Sequence, residues 1–244
     1  MMVSISEFFK RTVTALVLLF IMGGAYLHSM LLFSFVLLII LVLALHLEWP
    51  RLMGSILSCH PRLAPGSKSY KISYVIISLF YPVLPVLSLF LLNYLYRDSQ
   101  FLLPLYPFFV GWMADTCGYI FGKKYGKHRM CPKISPNKTW EGFAGSFAGI
   151  LVLNMFIFSK IPAFNDLSGG LFSKNFWVII PGISLALTTV AFLGGLFISF
   201  LKRRSALKDA GTILPGHGGI LDRFDSVFFV VIFVWVMLLY PYFF

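Results

Sequence analysis

Between Ser199 and Asp225 the chain gathers Lys202, Arg203, Arg204, Lys208 and Arg223 with Asp209, Asp222, Asp225, His217 and a Pro215-Gly-His-Gly-Gly219 turn. Charges of both signs beside long apolar runs are costly and mark a functional site by default. Asp222 and Asp225 are three residues apart, so on a helix they share a face. They stand where a seventh apolar run begins, and a helix N-terminus tolerates negative charge. Adjacent carboxylates repel unless a cation lies between them, and magnesium is held by one or two carboxylates plus substrate phosphate. Asp209, across the Gly-rich turn, could complete such a site. Spacing alone leaves open the alternative that these acids cap the helix and pair with Lys208 and Arg223. Lys202 and Arg203 read either as membrane-edge anchors or as phosphate ligands, Lys as a point charge and Arg as a fork. Gly216, Gly218 and Gly219 would let backbone N–H groups approach an anionic oxygen, with His217 fixing the turn or touching the ligand.

Further acids and bases lie upstream. Asp115 sits inside an apolar span and reads as functional, or else as a salt-bridge partner for a neighbouring helix. The segment 123–139 holds six Lys/Arg and two prolines, so it is not helical throughout. Turn-rich loops with many donors are where binding residues concentrate. No Walker motif, GxGxxG or Ser-His-Asp order is present. From the residues, the chemistry is that of a polyphosphate and a divalent metal at a membrane face.

The elements that must position these residues are transmembrane helices. Of 244 residues 59% are hydrophobic and 12% charged, against about 45–50% and about 25% in soluble domains. The expectation is an all-α polytopic membrane protein with about seven spans, near 12–28, 30–47, 74–95, 101–121, 140–159, 176–200 and 226–244. Lys10-Arg11 before the first apolar run could open a signal peptide. The second run follows at once without a small-residue cleavage site, so a retained helical hairpin is the better reading. Residues 1–100 are expected to form three N-terminal spans. Residues 101–244 form the catalytic region, with cytoplasmic loops 122–139 and 201–225.

Net charge is +11, and its placement argues for topology rather than for nucleic acid. Alternating the loops puts 17 of the 20 Lys/Arg on the side of the N-terminus; Arg97, Lys160 and Lys174 fall on the other. The positive-inside rule then makes the N-terminus and active face cytoplasmic and the C-terminus external, with membrane lipids as the generic partner. Cys59, Cys117 and Cys131 have no metal-type spacing and read as reduced thiols. Small residues such as Gly142, Gly145 and Gly149 mark close helix packing and are compatible with a homodimer.

The 199–225 block closely resembles the signature of the CDP-diacylglycerol synthase (phosphatidate cytidylyltransferase) family: Ser199, Lys202-Arg203, Lys208-Asp209, Pro215, His217-Gly218-Gly219, Asp222-Arg223 and Asp225. A second block, Ser135-Pro-Asn-Lys138-Thr-Trp-Glu141-Gly142, agrees. A third, Asp115-Thr-Cys-Gly-Tyr119-Ile-Phe-Gly122, is looser and departs at Cys117 and Gly118. The resemblance covers roughly 105–240.

It implies CTP + phosphatidate → CDP-diacylglycerol + pyrophosphate in the cell (inner) membrane, on the cytoplasmic side, with magnesium and room for a second, monovalent cation. Asp115, Asp209, Asp222 and Asp225 would be metal ligands, with Lys208 and the last three acids catalytic. Ser199, Lys202, Arg203, His217, Gly218, Gly219 and Arg223 would bind substrate, as would Ser135, Lys138 and Glu141. The nearest alternative is a CTP-dependent polyprenol or phytol-type lipid kinase, which would need a base for its hydroxyl acceptor. A transporter is the third class, and it would place charge near the midplane on repeated helices.

Overall fold

The structure is a computed structural model that describes residues 17–18, 20–58, 67–99, 101–158, 171–213 and 218–239. A helix over 20–28 (α1) stops at Ser29, whose hydroxyl accepts the amide of Leu32 at 3.0 Å and so caps α2, Met30–Leu43. A π-helical stretch, Ala44–Glu48, joins α2 to α3, Trp49–Ser58. Ser67 caps α4, Lys68–Ser78, in the same way, and a second π stretch, Leu79–Val83, leads into α5, Leu84–Tyr96. Pro82 removes an amide there and Tyr81 leaves helical geometry, which accounts for the kink.

Helix α6 is Tyr106–Tyr125, and Pro107 occupies the first turn, where its missing N–H costs nothing. An antiparallel ribbon follows, β1 (Arg129–Cys131) with β2 (Ser135–Thr139), in the segment where prolines exclude continuous helix. The ribbon is a departure from an all-helical chain. Thr139 ends it and caps α7, Trp140–Ile157, accepting the Gly142 amide at 3.1 Å. Then come α8, Leu171–Arg204, and α9, Leu221–Leu239.

Among the described residues, four helical stretches are long and apolar enough to cross a bilayer: Met30–Gly54, Lys68–Tyr96, Trp140–Ile157 and Trp177–Arg204. They match four of the seven expected spans. Helices α6 and α9 are formed where spans were expected but are more polar, α6 through Asp115 and its Gly and Tyr residues, α9 through Asp222, Arg223 and Asp225 in its first turns. Large apolar side chains point outward all along these helices, among them Leu31, Phe80, Val152 and Trp177, each at least 68% exposed. In water such surface would be a liability; against lipid it is the expected exterior. The protein is a predominantly helical membrane protein.

The chain divides into two compact units, Met1–Phe90 with Leu201–Phe224, and Leu91–Phe200 with Asp225–Phe244. In the first, Trp49 and Leu52 are fully buried, and the Trp49 indole N–H donates to Ser78 at 2.6 Å. The Ser205 hydroxyl donates to the Leu52 carbonyl at 2.7 Å, tying the chain beyond α8 to α3. In the second, α6 packs on α7 so closely that a Cβ on Gly145 would collide with the Phe121 ring. Cys117 and Cys131 are free thiols; Cys59 lies outside the described residues.

The second unit is also held by polar contacts inside its apolar core. The Tyr106 hydroxyl donates to Asn154 Oδ1 at 2.8 Å, and Asn154 Nδ2 donates to Ser184 Oγ at 2.9 Å, joining α6, α7 and α8. All three residues are fully buried. Without water, the alternative to these bonds is an unsatisfied polar group. Asn154→Leu is therefore expected to lower stability by about 1–2 kcal/mol, read as the shift in unfolding midpoint in mixed micelles, with Asn154→Gln losing no more than Leu.

Candidate functional site

Helix α8 ends in the first unit with a Schellman turn: Leu207 N donates to Lys202 O at 2.8 Å and Ala206 N to Arg203 O at 3.2 Å. Ala206 takes the left-handed conformation, φ 54°, usually left to glycine. The turn redirects the chain while Lys202 stays on the last helical turn. Its ammonium reaches Asp222 Oδ1 at 2.6 Å, and the two side chains are only 18% and 6% exposed. The other oxygen of Asp222 accepts Ala210 N at 2.8 Å and Gly219 N at 3.0 Å. One carboxylate in the first turn of α9 thus gathers a lysine and two loop amides.

Gly218 lies beside this carboxylate with φ +82°, a conformation that L side chains rarely adopt. A Cβ there would meet Asp222 Oδ2 at 3.1 Å and the Asp209 side chain at 3.4 Å, so the two acids flank the glycine. Asp209 and Lys208 are exposed, as are Arg203 and Arg223. The Gly219 N–H donates to Asp222, a carboxylate of the chain itself. His217 and Pro215 lie outside the described residues.

The second unit brings together a different set. Ser226, 1% exposed, donates its hydroxyl to Asp115 Oδ1 at 3.2 Å, and its amide donates to Asp225 Oδ1 at 2.7 Å. The Lys138 ammonium donates to the Phe192 carbonyl at 3.1 Å and sits 4.4 Å from the centre of that ring, a cation–π contact. A Cβ on Gly195 would lie 2.5 Å from this ammonium and 3.6 Å from Asp225 Oδ2, so the glycine leaves room for both charges. Asp115, Asn137 and Lys138 line a cavity of about 210 Å³ walled by Tyr119, Phe143 and Phe192.

Glu141 accepts the His128 amide at 3.2 Å and approaches His128 Nδ1 at 2.7 Å, bracing the start of the ribbon against α7. Ser199 spends its hydroxyl on the Gly195 carbonyl at 2.7 Å. Ser135 opens β2, opposite Cys131.

Sequence reasoning missed two residues of these clusters. Glu48 is fully buried, and its oxygens accept Ile220 N at 2.6 Å and Leu221 N at 2.8 Å. Its signal was present, as the lone acid between residues 8 and 97. Ser226 had no signal beyond following Asp225. Among the described residues no three His, Cys, Asp or Glu converge as a closed metal cage. Asp209 and Asp222 are two carboxylates that meet on either side of Gly218.

The Lys202–Asp222 contact makes a measurable claim. A double-mutant cycle with Lys202→Met and Asp222→Asn should return a coupling free energy of about 1–3 kcal/mol, from unfolding in mixed micelles. A coupling near zero would mean the pair is solvated and replaceable.

The model of the cytidylyltransferase family matches this chain over residues 2–241. Over 127 residues, 52% of the chain, it is 44% identical to a phosphatidate cytidylyltransferase of Staphylococcus aureus. Over the same length it is 45% identical to proteins of that name from Staphylococcus haemolyticus and Staphylococcus epidermidis. The match spans 45% of each of those relatives. With the family pattern running almost from end to end, this chain belongs to the cytidylyltransferase family.

Proposed function

We propose that this chain transfers a cytidylyl group from CTP to phosphatidate, giving CDP-diacylglycerol and pyrophosphate. The observation that carries the reading is the gathering of Lys202, Asp209 and Asp222 around Gly218, at the ends of apolar helices, in a chain of this family. The names of the staphylococcal relatives supply the substrate.

The reaction asks little of a base. A phosphate monoester oxygen attacks the α-phosphorus of CTP and forms the new P–O bond. The bond from that phosphorus to the bridging oxygen breaks, and pyrophosphate leaves with the electron pair. The nucleophile is already anionic at neutral pH, so the chain must neutralise charge and align the groups in line. Lys208, Arg203 and Arg223, exposed beside the acid pair, are the proposed phosphate contacts. Lys202 is better placed to hold Asp222 than to leave it, since the ion pair is largely buried. Magnesium, proposed at Asp209 and Asp222, would offset charge on the CTP phosphates and on departing pyrophosphate. Asp115 and Asp225, joined through Ser226, are proposed as a second pair of oxygen donors, for magnesium or a monovalent companion. Lys138 would offer its charge from the floor of the aromatic cavity.

Seven spans, a cytoplasmic N-terminus and a cytoplasmic active face in the cell membrane belong to the same proposal. The support is the segregation of 17 of the 20 basic residues to one side of the alternating loops.

Purified protein, phosphatidate, magnesium and CTP labelled at the α-phosphate test the reading directly. Label should enter the lipid phase with release of pyrophosphate, and chelation of magnesium should stop it. Lipid labelled from γ-labelled CTP, with CDP released, would make the protein a lipid kinase. Asp209→Asn is expected to lower turnover about 100-fold or more while protein yield and unfolding midpoint stay near those of the parent.

A further inference from the structure

The catalytic block sits in the last quarter of the chain, yet its loop is held by an acid from the first quarter. Glu48 is at the end of the π-helical stretch Ala44–Glu48, fully buried, 172 residues from one amide it binds and 173 from the other. Those amides, Ile220 and Leu221, are the last two before Asp222 and lie at the N-terminus of α9, where N–H groups have no partner within the helix. A carboxylate there satisfies two orphan donors at once and lies at the positive end of the helix dipole.

The surroundings are shaped to that carboxylate. A Cβ on Gly211 would fall 2.6 Å from Glu48 Oε1, and one on Gly219 would fall 2.7 Å from Oε2 and equally close to the Gly211 amide. Two glycines thus enclose the acid on the loop side. Gly219 also donates to Asp222, so the strand of backbone touching Glu48 on one side touches Asp222 on the other. The fit argues against a generic core residue, because an apolar side chain of similar size would leave both amides unsatisfied.

We propose that Glu48 is a positioning residue of the transfer reaction. By fixing the amides of Ile220 and Leu221 it sets where Asp222 stands, and through Asp222 it sets Lys202, Ala210 and Gly219. It touches no substrate. The inference rests on the proposed cytidylyl transfer for its kinetic part, while its structural part stands on the contacts alone.

Glu48→Gln is the sharpest variant. It keeps the size but turns an NH2 group toward one of two N–H donors, so one bond is lost and a donor–donor contact appears. Gly211→Ala is the independent variant: it leaves the acid in place and pushes on it from the loop. Hydrogen exchange of the full-length protein in detergent, read on peptides containing Ala210 or Gly219–Leu221, reports the hold directly. Steady-state kinetics with CTP and phosphatidate report its consequence.

The expected result for both variants is at least tenfold faster exchange in those peptides with α6 and α7 unchanged. With it, kcat should fall at least tenfold while KM for phosphatidate stays within twofold. Parent-like exchange and parent-like kcat in Glu48→Gln would overturn the proposal. Exchange that rises equally throughout the chain would also overturn it, since Glu48 would then be an element of general stability. If the parent protein transfers no cytidylyl group but the two variants still loosen these peptides alone, the proposed function fails and the hold of Glu48 on the loop stands.

Discussion

Asp222 accepts from three donors that the chain delivers from three places: the end of α8, the loop after it, and the Gly-rich turn. They surround a carboxylate that is only 6% exposed. Removing such a group from water costs several kcal/mol, which only close counter-charge and hydrogen bonds offset. The loop must therefore fold around the acid. Lys202 depends on it for the same reason, being mostly buried at the last turn of α8. The local chain geometry, with Ala206 in a left-handed turn and Gly218 at φ +82°, is what that convergence requires of the backbone.

The second unit meets the same constraint with different parts. Ser226 is nearly inaccessible and bonds to both Asp115 and Asp225, through its hydroxyl and its own amide. Lys138 donates to a carbonyl and sits over an aromatic face. The contrast with Lys202 separates two kinds of lysine that the sequence presents alike: one fixes the architecture, the other faces a cavity.

How much of this was legible follows from the range of each interaction. The long helices were readable because hydropathy is local, and the break in helix at 123–139 was readable because proline acts on its own turn. The block 199–225 was legible as a set of residue types, and Asp222 in particular could be read as cap or as ligand. Its actual partners needed the folded chain, because the Lys202 bond spans 20 residues and the Ala210 bond 12. The ribbon in 129–139 left only a trace, since its register depends on a turn of three residues between short strands. Glu48 was present as a lone acid in an apolar run, but its partners are more than 170 residues away, and no local pattern encodes them. The polarity of α6 and α9 had the opposite effect: residues that mark function also lower hydropathy, so the helices richest in chemistry are the weakest as membrane spans.

That last relation has a physical cause. A helix that carries Asp115, or opens on Asp222, Arg223 and Asp225, gains nothing from facing lipid along that stretch and must turn the charges toward protein or water. The apolar spans then do the work of solvation in the bilayer, and their outward Leu, Phe and Trp side chains follow from that division. Close approach is the remaining requirement, because short polar side chains such as Ser146 and Ser226 reach across only where backbones nearly touch. The Ser146 hydroxyl bonds the Ala114 carbonyl at 2.6 Å on the helix that a Gly145 side chain would push away. Small residues on α7 therefore let α6 come near enough that the carbonyl beside Asp115 has a partner, while the acid itself lines the cavity.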